Sequence, residues 1–222
     1  MSAKSFNGNN NLLLKIGEKL YLNSMTADVN LVVTIGDDHS VYVPAHKIIL
    51  SAASPVFELM FNGPMKNELD VQMADTSLDA LTEFLQFFYG SNVILTLENI
   101  FTVTNLCNRY QVADGLALCE KALQKMLTIN NMSKGYELAL RLELGKVVKF
   151  CGQKIKQNPE GVMKSTEFLE CTQETLGEIL KLVLPKCSSS VVVNACMAWA
   201  KTKCERKNVE ATATNMKDEF GS

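Results

Sequence analysis

The first apolar pattern along the chain is a strict alternation, and it occurs in two neighbouring stretches. Every second residue of 29–35 is Val, Leu or Ile, and 41–43 places two valines around a tyrosine. Residues 36–38 (Gly-Asp-Asp) separate the two stretches, and Pro44 follows the second. Because strand side chains alternate between two faces and such residues form turns, the pattern predicts a β-hairpin that stops at Pro44. A similar alternation at 69–73 predicts a third strand.

Elsewhere in the first half, apolar residues recur every three or four positions, which is the spacing of an amphipathic helix. Leu13, Ile16 and Leu20 form such a stripe ahead of the hairpin. Ser54 followed by Pro55 predicts a helix start, because serine caps helices and proline suits the first turn. Further helices are predicted around 46–53, 55–62, 77–90, 96–110 and 116–126.

The pattern changes once more near residue 128, after which helical spacing continues without a strand pattern. We therefore predict a small α+β unit at 12–128, in which helices cover a small sheet, followed by an all-helical unit at 129–207. Residues 1–11 and 208–222 are polar, and we expect the first to be a flexible tail and the second a polar, frayed tail.

Composition excludes some classes of function. The 222 residues are 47% hydrophobic, with 22 basic and 24 acidic side chains, which is ordinary for a globular protein. A formal charge of -2 lacks the basic face that is typical of nucleic-acid binders. No apolar run approaches the roughly 20 residues of a membrane helix, and the polar start lacks a signal peptide. We expect a soluble protein of the cytoplasm, or alternatively the nucleus, without nucleic-acid or membrane partners.

Seven cysteines are scattered along the chain without any C-x-x-C pair. Most lie on apolar faces of predicted helices, where a free thiol behaves as a small hydrophobic residue. Metal binding by the last three is the alternative, although zinc sites normally have paired short spacings. We expect reduced, buried thiols and no metal or other cofactor, with Trp199 as a core anchor of the helical unit. The cysteines are Cys107, Cys119, Cys151, Cys171, Cys187, Cys196 and Cys204.

Candidate catalytic groups are few. The chain has two histidines, His39 in a predicted turn and His46 at a predicted helix start. A serine or cysteine nucleophile would need His46 as its base, but no nucleophile, phosphate-loop, zinc or dinucleotide motif accompanies it. We therefore expect a hydrogen-bonded structural histidine and a protein that is not an enzyme. The alternative, a cysteine-dependent enzyme, would show one hyper-reactive thiol in iodoacetamide labelling.

A more specific set of residues lies at 27–61. It consists of Ala27-Asp28-Val29, the run Val43-Pro44-Ala45-His46-Lys47 that continues to Phe57, and Met60-Phe61. Together they resemble the signature of the BTB (POZ) family. Phe87-Phe88-Tyr89-Gly90 and the spacing from Tyr110 to Cys119 are similar to that family as well. Residues 165–169 (Ser-Thr-Glu-Phe-Leu) and Ala198-Trp199-Ala200 with Arg206 resemble the BACK helical region that follows BTB domains.

The resemblance implies a BTB/POZ domain at 12–128 and a partial BACK domain at 129–207. It also implies a non-catalytic function, since similar proteins act as homodimeric substrate adaptors of cullin-3 RING ubiquitin ligases. The implied partners are the cullin-3 N-terminal domain, a second copy of the chain and an unknown protein substrate. Such adaptors usually continue into a substrate-binding domain; either one follows in a longer product, or the BACK helices hold the substrate. The alternative function is an oligomerisation module of a transcriptional regulator.

A dimer interface is implied for the first helix. In the family, the helix that matches Leu13, Ile16 and Leu20 packs across a two-fold axis, and Asp28 lies near that interface. An apolar stripe on so short a helix must also pack on something, because isolated helices below about 12–15 residues are marginal in water. We expect homodimerisation through this stripe; the alternative is a helix folded onto its own subunit.

Cullin binding is implied for the helix that ends in Met-Phe and for the corner that follows a later helix. Cullin-binding members carry a hydrophobic-x-Glu motif in the next loop, whereas this chain has Met-Lys-Asn-Glu at 65–68. Either the loop is one residue longer and Glu68 takes the role, or the contact is weakened. Alternatively, Phe57 and Met60 are core residues and only Met65 and Tyr110 face outward. The full expected set is Phe57, Met60, Phe61, Met65, Asn67, Glu68, Tyr110 and Gln111, on a surface that the BACK helices would extend.

Overall fold

A computed structural model of the chain describes residues 11–36, 39–64, 70–90 and 92–220. The chain divides into two units, one that ends at Cys119 and one that begins at Glu120. In the described residues, the first unit contains a sheet and helices and the second contains helices alone. The predicted fold class, an α+β unit followed by an all-helical unit, is confirmed. The division lies ahead of the expected domain boundary at 128, which stays a prediction.

The sheet of the first unit is built on the predicted hairpin. β1 (Val29–Ile35) pairs antiparallel with β2 (His39–Ala45), and Leu31 lies opposite Val43. β3 (Val71–Gln72) pairs with β1 in parallel, so that the strand order is β2-β1-β3. The third alternating stretch therefore does form a strand, of which the structure describes two residues.

The predicted end of the second strand is wrong, because β2 continues through Pro44 to Ala45. Pro44 lies opposite Asn30 in the ladder. β2 is an edge strand of the described sheet, and proline is tolerated there because a missing N–H on an edge need not break a ladder hydrogen bond.

Capping signals predict the start of two helices of the first unit and the end of one, whereas the helix predicted from residue 96 begins at Ile100. Ser54 Oγ accepts a hydrogen bond from the backbone N–H of Phe57 at 3.1 Å, and Ser77 Oγ accepts one from Ala80 at 3.2 Å. Gly90 ends its helix at φ 70°, a left-handed conformation that suits glycine. The helices are α1 (Leu12–Leu20), α2 (Lys47–Ala53), α3 (Pro55–Asn62), α4 (Leu78–Tyr89), α5 (Ile100–Arg109) and α6 (Ala113–Met126), within which the second unit begins.

One apolar core holds the first unit together. Leu31 of β1, Leu50 of α2, Phe57 of α3 and Phe84 of α4 are all fully buried in it. Burying side chains of this size contributes about 1.5–3 kcal/mol each. The core therefore joins α2, α3 and α4 to the sheet in one packed unit.

The second unit has its own core, with Trp199 at its centre. The Trp199 side chain is 1% exposed, and its Nε1–H donates to the carbonyl oxygen of Cys171 at 3.0 Å. Its predicted role as a core anchor is confirmed. The helices are α7 (Met132–Arg141), α8 (Gly145–Gln157), α9 (Pro159–Met163), α10 (Thr166–Glu170), α11 (Gln173–Val183), α12 (Ser189–Arg206) and α13 (Ala213–Asp218).

The segment expected as a polar tail, 208–222, differs from that expectation over its described part. Thr212 caps α13 by accepting a hydrogen bond from the N–H of Asn215 at 3.2 Å. The ring of Phe220 lies 5.6 Å from that of Trp199, centroid to centroid. The composition of the segment did not predict this packing, because the segment is mostly polar and a single aromatic residue, Phe220, anchors it.

Candidate functional site

α1 is held on the end of α4 by a close backbone contact. Gly17 lies against the carbonyl group of Tyr89, and a Cβ at this position would overlap the oxygen. The Tyr21 hydroxyl donates to the carbonyl oxygen of Thr82 at 3.0 Å, and its ring packs edge-on against Tyr89 at 5.8 Å. The side of α1 that contains Gly17 therefore packs on its own subunit, as one of the two sequence-based alternatives expected.

Apolar side chains of α1 beside this contact are exposed. The exposed fraction is 81% for Leu13 and 42% for Ile16, and no residue of α1 is buried. Leu20 is half-buried and packs against the core. A groove of about 380 Å³ runs between α1 and residues Ile49 and Phe88. Contiguous apolar surface of this kind is typical of a protein-interaction site, although the dimer contact itself stays a prediction.

Asp28, the fourth expected interface residue, has a structural partner. Its carboxylate Oδ1 accepts a hydrogen bond from the backbone N–H of Lys47 at 2.7 Å. Lys47 is the first residue of α2, so an exposed carboxylate satisfies a helix N–H and complements the positive end of the helix dipole. Asp28 therefore fixes the start of α2, and its proximity to a second copy stays a prediction.

His46 is hydrogen-bonded to the side chains of Tyr89 and Thr26. The Tyr89 hydroxyl accepts from the backbone N–H of His46 at 3.0 Å and lies 2.8 Å from its Nδ1, while Thr26 Oγ1 lies 2.8 Å from Nε2. Burial raises the pKa of Tyr89 to about 12. Both ring nitrogens have partners, and the structural role expected for His46 is confirmed.

Three of the expected cullin-binding side chains lie in the core. Phe57, Phe61 and Tyr110 are buried, and the Phe57 ring stacks on Tyr110 at 4.3 Å and on Phe61 at 5.7 Å. Burial raises the pKa of Tyr110 as well, and its hydroxyl donates to the Met73 sulfur at 3.3 Å. The expectation that Tyr110 faces outward is wrong, because its ring completes an aromatic stack beneath α3.

Ser54 links this stack to the corner after α5. Its Oγ donates to the carbonyl oxygen of Tyr110 at 2.5 Å while it accepts from Phe57 N–H. Gln111, the next residue, is exposed and has φ 53°, so the chain turns sharply there. The structure therefore brings the start of α3 and the Tyr110–Gln111 corner together, and of this corner only Gln111 faces solvent.

The outer face of α3 offers a different side chain. Leu59 is 67% exposed, and a shallow groove of about 360 Å³ lies beside it between Pro55 and Gly63. Met60 is partly buried and packs against the core. The helical spacing of Phe57 and Phe61 could have singled out Leu59, because an apolar residue off that stripe must point away from the core. The remaining expected residues, Met65, Asn67 and Glu68, lie outside the described residues.

The cysteines have the chemistry of core residues. Burial raises the pKa of Cys151 and of Cys171 to about 12, and a hydrogen bond with Cys119, together with burial, raises the pKa of Cys107. Within the described ranges, no cluster of His, Cys, Asp or Glu side chains could hold a metal ion. The same ranges contain no helix long and apolar enough to span a bilayer.

Comparison with known proteins places two domain families on the chain. Residues 18–127 match the model of the BTB/POZ domain, and residues 133–214 match the model of BACK, described as BTB And C-terminal Kelch. The first match contains the described sheet and the last three residues of α1, and the second contains α12. The resemblance noted in the sequence is thereby confirmed.

Curated relatives match both units at once. The chain is 26% identical over 203 residues to BTB/POZ domain-containing protein 6-A of Danio rerio, covering 91% of this chain and 37% of the relative. It is 24% identical over 203 residues to BTB/POZ domain-containing protein 3 of Homo sapiens, covering 91% of this chain and 39% of the relative. The chain thus spans about two fifths of the length of these relatives.

One solved structure is also similar. The BTB (Tramtrack and Bric a brac) domain of human gigaxonin is 21% identical, with a TM-score of 0.40. The match covers 53% of this chain and 97% of that domain.

Proposed function

Because the chain belongs to the family of proteins in which a BTB/POZ domain precedes a BACK domain, we propose that it is a dimeric substrate adaptor of a cullin-3 RING ubiquitin ligase. Domains of this family mediate protein–protein interactions and are typically non-enzymatic. In this proposal one face of the BTB unit binds a second copy, another binds the cullin-3 N-terminal domain, and a protein substrate is held elsewhere.

The single observation that carries the proposal is the exposed apolar side of α1. Gly17 and Tyr21 fix the helix on its own subunit, and Leu13 and Ile16 stay exposed beside that contact. A preformed surface loses little conformational entropy on binding. A second copy is the favoured occupant, since two-fold symmetric pairs are the commonest way in which soluble proteins cover such a patch.

For cullin binding, support comes from the outer face of α3. Leu59 is an exposed apolar residue beside a groove, and exposed Gln111 lies at the corner that Ser54 ties to the same helix. In this proposal the buried rings support cullin binding indirectly, because they hold α3 in position. These rings are Phe57, Phe61 and Tyr110. The contributions of Met65, Asn67 and Glu68 stay predictions, as does the effect of Asn67 at the usual glutamate position.

The substrate is an unspecified protein, and we place the proposed activity in the cytoplasm or nucleus. The thiols of Cys107, Cys151 and Cys171 are buried and form no disulfide bonds. This supports a reducing compartment, because disulfides are rare in the cytosol and nucleus.

Calorimetric titration of the chain with the cullin-3 N-terminal domain tests the proposal. Wild-type chain should bind, and Leu59→Asp should weaken binding about thirtyfold, the loss of a hot spot worth about 2 kcal/mol. Leu118→Asp is the matched control, because Leu118 is an exposed leucine of α6 and should leave affinity unchanged. Absence of heat and of a gel-filtration shift at tens of micromolar would reject the adaptor function and favour an oligomerisation module.

A further inference from the structure

The last described segment of the chain lies over the core of the second unit as a strap. The strap is defined here as residues 213–220, which are α13 and the two residues after it. α13 has six residues, none of them buried, and so short a helix has no stability of its own in water. A few side-chain contacts must therefore hold the strap in place.

The first contact is aromatic. Phe220, which is 39% exposed, packs its ring on Trp199 at 5.6 Å with an interplanar angle of 37°. Trp199 is rigid, because its Nε1–H donates to Cys171 and the Lys203 ammonium lies 5.3 Å from the centre of its ring. The strap thus places one aromatic side chain on a preformed aromatic platform.

The other contacts are polar and bind groups of the strap at and next to Phe220. Both carboxylate oxygens of Glu219 accept hydrogen bonds from Lys207 Nζ, at 2.6 and 2.8 Å. The side-chain amide of Gln173 donates to the carbonyl oxygen of Phe220 at 2.7 Å. Together, the three groups recognise an acidic residue, the aromatic residue that follows it, and the backbone carbonyl of that aromatic residue.

We propose that Trp199, Lys207 and Gln173 form a docking site for a segment of another protein in which an acidic residue directly precedes an aromatic one. The strap is the resident occupant, and the incoming segment displaces it. Charge complementarity supports this choice, because the site already holds a Glu-Phe pair through a cation and an aromatic ring. The proposal is independent of cullin binding.

Displacement is feasible because the strap is weakly held. Partly exposed ion pairs add little stability, and segments with few buried contacts open locally at low free-energy cost. The tether nevertheless gives the strap an effective concentration in the millimolar range. A competing segment should therefore bind the intact chain more weakly than a chain whose strap is open. Its apparent affinity is reduced to the intrinsic affinity multiplied by the fraction of molecules in which the strap is open.

The test uses fluorescence, since Trp199 is the one tryptophan in the sequence. The probe is an acetylated, amidated peptide with the sequence of residues 213–220, ATNMKDEF. In the full chain, Phe220→Ala should shift Trp199 emission to longer wavelength, and the peptide should reverse that shift. The Phe220→Ala chain should bind the peptide about tenfold more tightly than the wild-type chain does. This is the ratio expected if the wild-type strap is closed in about nine molecules of ten. Lys217→Ala is the control on the exposed side of α13 and should behave as wild type.

Specificity provides the second readout. The peptide with Gln in place of its Glu, or Ala in place of its Phe, should bind Phe220→Ala chain at least tenfold more weakly. In the double variant Phe220→Ala/Lys207→Ala, the Glu and Gln peptides should bind equally. A peptide series that shows no preference for Glu over Gln in the Phe220→Ala chain would overturn the assignment of Lys207.

Three further results would overturn the proposal. They are wild-type emission in Phe220→Ala, a shift that the peptide does not reverse, and a change in light-scattering mass on Phe220→Ala, which would mean that copies exchange their straps. If circular dichroism shows that Phe220→Ala is unfolded, Glu219→Gln decides instead. That variant should bind the peptide more tightly than wild type, and equal affinity would overturn the proposal.

Discussion

Gly17 illustrates how one position without a side chain can determine where a helix packs. The carbonyl group of Tyr89 occupies the space that a Cβ would need. Leu13, one helical turn before Gly17, and Ile16 stay exposed and line a groove beside this close contact. Glycine normally lowers helix stability by about 0.5–1 kcal/mol relative to alanine, so its presence in α1 serves packing rather than helix formation.

Gly17→Ala should therefore destabilise the first unit by about 1–3 kcal/mol, as expected for overpacking against backbone atoms that cannot move aside. The measurement is the free energy of unfolding in urea. Gly177→Ala is the matched control, because Gly177 lies in α11 with open space around its Cβ position. That variant should stabilise by about 0.5–1 kcal/mol, and a similar gain for Gly17→Ala would contradict the close contact.

Buried cysteines give a second prediction at this scale. The pKa of Cys151 and of Cys171 is about 12, against an ordinary 9.0. Iodoacetamide at pH 8 should therefore alkylate both at least about a hundredfold more slowly in the native chain than in urea, because the thiolate is the nucleophile. Rapid native labelling of either thiol would contradict its burial.

The same shifts predict how stability depends on pH. As the pH rises above about 9, these thiols lose their protons in the unfolded chain but keep them in the folded chain until about 12. The unfolded state then binds fewer protons, so the free energy of unfolding should fall across that window and be insensitive to these groups below it. A contribution of opposite sign, isolated by comparison with a Cys151→Ala chain, would contradict the raised pKa values.

At the scale of elements, α3 joins the core to the outer surface of the first unit. Its inner side carries Phe57 and Phe61, and its outer side carries Leu59. Ser54 fixes both the start of the helix and its attachment, since one hydroxyl accepts from Phe57 N–H and donates to the Tyr110 carbonyl. The position of Leu59 therefore depends on a residue that lies more than one helical turn away.

Ser54→Ala should destabilise the first unit by about 2 kcal/mol, because it removes a helix cap and leaves the buried Tyr110 carbonyl without its side-chain donor. Thermal unfolding followed by circular dichroism measures the loss. Ser188→Ala tests the same substitution at an N-cap whose hydroxyl does not bind the helix N–H groups, and should change stability by less than about 0.5 kcal/mol. Equal effects of the two variants would contradict the dual role of Ser54.

Local patterns predicted the elements well, and tertiary packing explains where they did not. The hairpin and the Ser54-Pro55 helix start depend on residues close in sequence, so alternation and capping signals were sufficient. The outward position expected for Tyr110 was wrong because its ring stacks on Phe57, a contact between distant residues. The strap was missed for the same reason, since the contact between Phe220 and Trp199 has no local sequence signal.

At the scale of the whole molecule, the chain combines two interaction units. Each has its own core, built around Phe57 and Phe84 in the first and around Trp199 in the second. Each also carries features to which our proposals assign contacts outside the unit: exposed apolar residues of α1 and Leu59 in the first, and the strap site in the second. A family of non-enzymatic interaction domains fits this organisation, in which every polar group of the candidate base His46 already has a partner.

The mass of the chain in solution tests the central claim of a dimeric adaptor most directly. Light scattering coupled to gel filtration at tens of micromolar should give about twice the chain mass of 24.6 kDa. Leu13→Asp should reduce that value to a single chain mass with an unchanged circular dichroism spectrum, because it places a charge in the apolar interface. The control Leu118→Asp should stay dimeric. A wild-type mass of 24.6 kDa under the same conditions would contradict the account.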